Sequence, residues 1–203
     1  MQEVMGPLPG TEKRVSLDVR LREEVDCGSY VRRLIDYASE PGGRVPAYLL
    51  IPKGHGPFPA VLCLHPTDDI VGHGVVVGLG GKANRAYASE LAERGFVTLA
   101  PAYPYLAQYR PDWAALGYAS GTMKAIWDNV RGLDVLEDME EVRAGGVGAI
   151  GHSLGGHNAI YTATFDARIA VVVSSCGFDS YQAYKDGDIT SWTSSCYMPR
   201  LRD

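Results

Sequence analysis

Short runs of apolar residues, separated by glycine- and proline-rich turns, predict that the chain begins with a sheet. Residues Tyr30 to Tyr37 and Val45 to Ile51 are rich in β-formers, and Glu40-Pro41-Gly42-Gly43 between them is typical of a turn. These segments predict an antiparallel hairpin. After a Pro/Gly loop from Pro52 to Pro59, the unbroken apolar run Ala60 to Leu64 is typical of a strand buried on both faces.

Helical and strand-like segments alternate through the rest of the chain. A helical spacing of apolar residues is followed each time by a short apolar run. This alternation predicts an α/β fold with right-handed crossovers, in which a mostly parallel sheet carries helices on both faces. The helix and strand pairs are Lys82 to Arg94 with Phe96 to Ala100, Met123 to Met139 with Val147 to Ile150, and Leu154 to Thr164 with Ile169 to Val173.

Composition is consistent with one domain and excludes some functions. The 203 residues are 46% hydrophobic and 21% charged, which suits an ordinary domain with one sizeable core. A net charge of -5 provides no basic field for phosphates, so we expect no nucleic-acid partner. No apolar run approaches the roughly 18 to 20 residues that span a bilayer, and the first residues do not resemble a signal peptide. Four widely spaced cysteines add no export signal, so we expect no membrane partner and a cytoplasmic location.

The candidate chemistry lies in Gly151-His152-Ser153-Leu154-Gly155, which matches the nucleophile-elbow pattern G-x-S-x-G. The motif directly follows a predicted strand and directly precedes a predicted helix, as an elbow requires. The serine must stand on a sharp, strained turn, and glycines two residues to either side let the strand and helix approach closely. The alternative is that Ser153 only caps the helix that begins at Leu154.

A nucleophilic serine also needs N–H donors for the oxyanion that forms on its substrate. The backbone N–H of Leu154 is the first candidate, because it lies at the positive end of its helix. The second donor is expected from the loop after the strand Ala60 to Leu64. In His65-Pro66-Thr67 the proline has no N–H, so Thr67 is the donor most easily assigned. His65 is expected to be a packed, hydrogen-bonded loop residue rather than a proton shuttle.

The residues LCLHP and GHSLGG, each after a buried strand, make the chain resemble the α/β-hydrolase superfamily. With AERGFVTLAPAYP, they are most similar to its dienelactone hydrolase and acetyl xylan esterase-like branch, and the resemblance extends from about Tyr30 to Asp179. It implies Ser153 as nucleophile, the N–H groups of Leu154 and Thr67 as oxyanion hole, and no metal or organic cofactor. Dienelactone hydrolases proper use a cysteine, so Ser153 favours ordinary chemistry on a small-molecule ester.

The nucleophile motif does not itself supply the base that must activate the serine. In this fold the order along the chain is Ser, then Asp or Glu, then His. Only His157 follows Ser153, and its spacing places its ring over the first turn of the helix instead of at the tip of the elbow. Asp179 is a candidate acid, although a cap of a turn or helix is an equal alternative for it.

Counting strands leads to an expectation about the domain. The strand Ile169 to Val173 would be about the sixth of the usual eight, so we expect a single α/β-hydrolase domain that is C-terminally incomplete. Residues 1–28 would be an N-terminal extension and residues 29–203 the core. Ile169 to Val173 suits a sheet interior but would form an exposed edge. Either the chain is the N-terminal two-thirds of a longer hydrolase, or a homo-oligomer or second chain covers that edge.

A glycine-rich segment offers a rival interpretation. Val75 to Ala83, VVVGLGGKA, resembles the dinucleotide fingerprint G-x-G-x-x-A between a strand-like run and a helix. The ribose-binding acid would fall near Thr98 to Tyr103, which holds no Asp or Glu. A phosphate-binding loop fails too, because Lys82 is followed by Ala83. We therefore expect this glycine-rich loop to border the mouth of the pocket.

Two functional classes remain open. The first is a serine hydrolase that cleaves carboxylic esters through an acyl-enzyme on Ser153, with a prolyl oligopeptidase-type peptidase as its near alternative. The second is a hydrolase-like binding module without catalysis, which the missing histidine favours. Aromatic residues in the loop Pro101 to Ser120 either line a sugar- or aryl-binding cleft or seal that loop onto the domain; they are Tyr103, Tyr105, Tyr109, Trp113 and Tyr118.

Overall fold

Seven strands form one mixed sheet in the computed structural model, which describes residues 1–194 and 196–201. The order across the sheet is β1-β2-β3-β5-β4-β6-β7. The strands are β1 (Arg20–Asp26), β2 (Tyr30–Glu40), β3 (Gly43–Pro52), β4 (Ala60–Leu64), β5 (Val97–Pro101), β6 (Val147–His152) and β7 (Ile169–Ser175). The α-helices are α1 (Gln2–Met5), α2 (Tyr87–Glu93), α3 (Gly121–Glu137) and α4 (Leu154–Phe165), and short 3-10 helices cover Thr11–Lys13, Gly72–Val77 and Tyr184–Gly187.

The antiparallel half of the sheet contains the predicted hairpin and one strand more. β2 pairs with β3, with Tyr37 opposite Val45. Residues 20–26, which the sequence placed in an extension, form β1 and pair antiparallel with β2. This strand carries no apolar alternation because nearly all of its side chains are exposed, so pairing of its backbone decides its conformation.

The other half is parallel and confirms the predicted α/β class. β4 pairs in parallel with both β5 and β6, and β6 pairs in parallel with β7. Residues of α3 and α4, such as Leu133 and Ala159, pack in one apolar core against the sheet. Residues of α2, such as Ala88, pack in a second core with other sheet residues. Helices therefore cover both faces.

Two local predictions around the glycine-rich loop are wrong. α2 begins at Tyr87 instead of Lys82, because Asn84 has a left-handed φ of 61° that a continuous helix does not allow. The run Val75–Val77 is the end of a 3-10 helix and not a strand, since its side chains are buried beside the sheet instead of paired within it. The dinucleotide fingerprint therefore lacks the strand that it requires.

β7 is the edge of the sheet, as the sequence predicts. Within the described residues it pairs only with β6, and Val171 and Val173 are 63% and 51% exposed. It is the seventh strand in chain order rather than about the sixth, because β1 precedes the hairpin.

No helix in the described part of the chain is long and apolar enough to cross a membrane.

The aromatic loop between β5 and α3 is sealed onto the domain. Tyr103, Tyr109 and Tyr118 are buried, and the Tyr109 hydroxyl donates to Asp128 Oδ2 at 2.9 Å while the Tyr118 hydroxyl donates to Glu40 Oε2 at 2.8 Å. These hydrogen bonds hold the rings against α3 and β2. The second of the two predicted roles, sealing rather than lining a cleft, therefore applies to these three residues.

Candidate active site

The elbow occupies the single residue between β6 and α4. Ser153 has φ 54° and ψ −120°, a conformation that costs a residue other than glycine about 1–3 kcal/mol. Its side chain is exposed and makes no capping hydrogen bond to α4. The alternative in which Ser153 only caps the helix is therefore wrong, and the hydroxyl is left available at the surface.

The two glycines of the motif allow the close packing that the sequence predicts. A Cβ at Gly151 would overlap the backbone of Gly155, and a Cβ at Gly155 would overlap the carbonyl group of Leu64. The second contact presses the first turn of α4 against the carboxyl end of β4. It thereby brings the loop that follows β4 close to Ser153.

That loop is held by His65 and Tyr87. His65 Nδ1 lies 2.8 Å from the carbonyl oxygen of Pro66, and His65 Nε2 accepts a hydrogen bond from the N–H of Tyr103 at 3.0 Å. Burial lowers the pKa of His65 to about 4, so the ring is neutral at pH 7. The Tyr87 hydroxyl donates to the carbonyl of Leu64. His65 is thus the packed loop residue that was predicted.

Thr67 and Ser153 line one cavity of about 200 Å³, which we call the Thr67 cavity. Leu154 adjoins Ser153 and is the first residue of α4, where backbone N–H groups have no carbonyl partner inside the helix. Its side chain is buried, which anchors the start of the helix. Both residues expected to supply oxyanion donors therefore lie near Ser153: Leu154 follows it directly, and Thr67 lines the same cavity.

The glycine-rich loop reaches the same cavity, as predicted. Lys82 at its end, with Arg85 and His152, lines the Thr67 cavity. The pKa of His152 is lowered by burial and by the nearby charges of Arg85 and Lys82. Sequence reasoning missed the two cations as site residues, although the position of the glycine-rich loop was a signal for them.

Ser153 also lines a second cavity, of about 120 Å³, which we call the aromatic cavity. Its wall includes His157 and five rings, Tyr161, Phe178, Tyr181, Tyr184 and Trp192. These rings come from α4 and from the segment after β7, whereas the sequence pointed to the loop before α3. Phe178, Tyr181 and Tyr184 recur at every third position after β7, which is a signal for this wall, although no element is predicted there from the sequence.

His157 is part of the aromatic wall. It is buried, its Nε2 lies 2.9 Å from the Tyr181 hydroxyl, and its ring centroid lies 3.9 Å from that of Tyr161. Burial lowers the pKa of His157 to about 4, which makes the ring a weak base. His157 thus lines the same cavity as Ser153, and its predicted position away from the tip of the elbow stays a prediction.

Asp179 lies in the aromatic cavity with Ser153. Its side chain is exposed, and its Oδ1 accepts a hydrogen bond from the N–H of Ser180 at 2.7 Å. The structure therefore brings the candidate acid and the candidate nucleophile to the same cavity. The predicted role of Asp179 as an acid stays a prediction.

One contact behind the elbow was not anticipated. A Cβ at Gly177 would overlap the backbone N of His157, because the chain leaving β7 crosses the first turn of α4 at this point. Gly156 is also tightly packed, with the Ser174 hydroxyl 2.8 Å from the position of an added Cβ. Among residues 1–194 and 196–201, no three His, Cys, Asp or Glu side chains form a cluster suited to a metal ion.

Comparison with known proteins shows the family to which this chain belongs. The sequence model of the dienelactone hydrolase family matches residues 45–191, which include both the loop after β4 and the elbow. The chain belongs to the dienelactone hydrolase family. One relative of the chain is YtaP of Bacillus subtilis (strain 168), which is named as a hydrolase. It is 26% identical to this chain, over 98% of this chain and 69% of its own length.

Solved structures place this dienelactone hydrolase family member in the α/β-hydrolase fold. Acetyl xylan esterase 1 from Thermoanaerobacterium sp. JW/SL YS485 matches with a TM-score of 0.67 and 21% identity, over 92% of this chain and 60% of that chain. A glucuronoyl esterase from Solibacter usitatus matches with a TM-score of 0.66 and 20% identity, over 98% of this chain and 61% of that chain. The chain thus spans about three fifths of the length of both esterases.

Proposed function

We propose that this member of the dienelactone hydrolase family is a serine esterase whose nucleophile is Ser153. The observation that carries the proposal is an exposed serine in a strained elbow, free of any capping bond and shared by two cavities. A strained conformation persists only where the surrounding packing enforces it, and such sites concentrate where chemistry occurs. Membership of the family and the names of the esterase neighbours support the same assignment.

The reaction proceeds through an acyl-enzyme. Ser153 Oγ bonds to the carbonyl carbon of the ester, and the hydroxyl proton passes to a base. The carbonyl oxygen becomes an oxyanion that accepts hydrogen bonds from the N–H groups of Leu154 and Thr67. Collapse of this intermediate breaks the bond to the alcohol oxygen, which leaves with the proton, and water then hydrolyses the acyl group from Ser153. Removing one donor of such a pair costs about 100- to 1,000-fold in rate.

In the proposal, Asp179 orients the base. The order of this fold places the acid and then the histidine after the nucleophile, and Asp179 lines the same cavity as Ser153. His157 is not assigned as the base, because its Nε2 contacts Tyr181 and burial lowers its pKa to about 4. A serine without its base retains only oxyanion stabilisation and binding, about 1,000- to 10,000-fold over water.

The second candidate function is a binding module without catalysis. The observation that favours it is that His157, which lines the same cavity as Ser153, lies with its Nε2 2.9 Å from the Tyr181 hydroxyl and has its pKa lowered to about 4 by burial. Such a module would use the same two cavities to hold a ligand without cleaving it. The prolyl oligopeptidase-type alternative gains no such support, because the similar proteins reported above are named as hydrolases and esterases.

Labelling with a fluorophosphonate probe distinguishes the two candidates. The probe phosphonylates an activated serine, and peptide mapping by mass spectrometry identifies the modified residue. We expect label on Ser153, none in Ser153→Ala, and unchanged labelling in Ser180→Ala. Ser180 is a suitable control because it is exposed and lines the same aromatic cavity. A chain with native circular dichroism that takes no label, or a Ser153→Ala variant that still takes it, would favour the binding module or another nucleophile.

A further inference from the structure

Two tyrosine hydroxyl groups of the aromatic cavity are engaged within its wall. The Tyr161 and Tyr181 hydroxyls lie 3.1 Å apart, and the Tyr181 hydroxyl lies 2.9 Å from His157 Nε2. These polar groups satisfy one another, so they need no hydrogen bond from a ligand. What the two tyrosines offer a ligand is therefore mainly the surface of their rings.

Three rings of the cavity meet at steep angles around Trp192. The rings of Tyr181 and Tyr184 are each inclined at 73° to that of Trp192, with centroids 6.0 and 6.1 Å from its centroid. An edge-to-face pair leaves one ring with both faces free of its partner, whereas stacked rings cover each other. Ring faces carry negative electrostatic potential, and cages built from several rings hold quaternary ammonium groups.

The charge around these rings is also negative. Asp179 lines the cavity, whereas none of its lining residues in the described part of the chain is a lysine or arginine. Residues 178–192, which contribute four of the five rings, include three aspartates and one lysine. That lysine, Lys185, has its Nζ 5.4 Å from the ring centroid of Tyr184, a cation–π contact of the kind that a bound ammonium group would make. Burial lowers the pKa of His157 to about 4, so its ring adds no positive charge at pH 7.

We propose that the aromatic cavity is a binding subsite for a quaternary ammonium group, and that the ester substrate carries such a group on the side of its carbonyl that faces Trp192. A quaternary ammonium has no N–H donors to satisfy, which matches a wall whose Tyr161 and Tyr181 hydroxyls are engaged. Its methyl groups contact ring faces, while the Asp179 carboxylate balances its charge.

The subsite lies beside the candidate catalytic residues without replacing them. Ser153 lines the same cavity as the rings, so an ester held by its cationic end is positioned next to the nucleophile. Asp179 keeps its negative charge when it orients a base, and that charge acts on the cavity in either role. The subsite rests on the proposed function only in using Ser153 to mark the position of the ester.

Two ligands of the same shape and different charge test the subsite in the absence of catalysis. The Ser153→Ala chain is titrated by NMR with choline and with 3,3-dimethylbutanol, in which a carbon atom replaces the ammonium nitrogen. We expect choline to bind about tenfold more tightly than its neutral counterpart, which corresponds to about 1.4 kcal/mol. Absence of choline binding, or an affinity for the neutral alcohol that equals or exceeds that for choline, would overturn the subsite.

Matched variants assign the preference to the cavity wall. In the Ser153→Ala background, Tyr184→Leu should reduce the preference for choline by about two- to fivefold, whereas Tyr184→Phe keeps the ring face and should retain it. Asp179→Asn should also reduce the preference, because it removes the balancing charge. The control is Tyr105→Leu, which should retain the preference. Tyr105 is likewise half-buried and lies edge-on to a tryptophan, Trp113, but it lines neither cavity.

The outcomes of these titrations are distinct. Circular dichroism confirms that each variant is folded before affinities are compared. An undiminished preference in either Tyr184→Leu or Asp179→Asn, or its loss in Tyr184→Phe or Tyr105→Leu, would contradict the assignment to this wall. A failure of the proposed function would appear separately, as absence of fluorophosphonate label on Ser153 in a chain that still prefers choline.

Discussion

Replacing Lys124 with methionine should lower the free energy of unfolding by about 3–5 kcal/mol, because it removes one partner of a buried ionic cluster. Lys124 is 0% exposed, and its Nζ lies 3.0 Å from Glu40 Oε1, donates to Ser39 Oγ at 3.2 Å and also contacts Asp128 Oδ1. Methionine approximately conserves the volume of the side chain. It leaves Glu40 and Asp128, both buried, without the charge that lies between them.

The loss should depend on pH, and its sign follows from Asp128. Burial raises the pKa of Asp128 above its usual 3.8, and Lys124 opposes that rise. In Lys124→Met the pKa of Asp128 rises further. A raised folded-state pKa contributes stability that is present below the unfolded pKa and is lost as the pH rises through the folded value. The variant should therefore be more strongly destabilised at about pH 8 than at about pH 5.

Urea unfolding followed by circular dichroism measures both effects. A loss of about 3–5 kcal/mol corresponds to a fall in Tm of about 6–20 °C for a chain of this size. Lys53→Met is the matched control: Lys53 pairs with Asp26 in an exposed setting, and its loss should cost at most about 1 kcal/mol. A loss below about 1 kcal/mol for Lys124→Met, or a loss that does not change with pH, would refute the reasoning.

Three further predictions concern the elbow and its supports. Gly155→Ala forces the carbonyl of Leu64 away, so it should lower the free energy of unfolding by about 1–3 kcal/mol and slow fluorophosphonate labelling of Ser153. The control Gly148→Ala on β6 meets only ordinary contacts and should change neither the stability nor the labelling rate. Tyr87→Phe leaves the Leu64 carbonyl without its hydroxyl donor and should lower the unfolding free energy in urea by about 1 kcal/mol. Burial lowers the pKa of His157 to about 4, so the stability that the neutral ring contributes is present above the unfolded pKa of 6.5 and is lost as the pH falls towards 4. In His157→Gln, the urea midpoint of unfolding should therefore decline less steeply between pH 6.5 and pH 4. An unchanged slope of midpoint against pH would contradict this prediction.

Sequence patterns predicted the elements whose signals are local. The hairpin and β4 were recognised from β-formers between turn residues, and the elbow from glycines at fixed spacing around Ser153. β1 was missed because its exposed, charged side chains show no apolar period, and pairing with β2 alone makes it a strand. The start of α2 was misplaced because the left-handed φ of Asn84 leaves no compositional signal that outweighs helical spacing.

The residues of the candidate site also fall into two groups, those that local sequence signals predict and those that only tertiary packing brings together. From the sequence came Ser153, the glycines beside it and the expectation that Thr67 would lie nearby, because an elbow and a loop at the carboxyl ends of neighbouring parallel strands meet at one edge. Only the tertiary structure decided that Lys82 and Arg85 would stand on one side of the serine and Trp192 on the other. Those side chains belong to segments far apart along the chain, and their convergence depends on strand order and loop packing, which no local spacing of residues encodes.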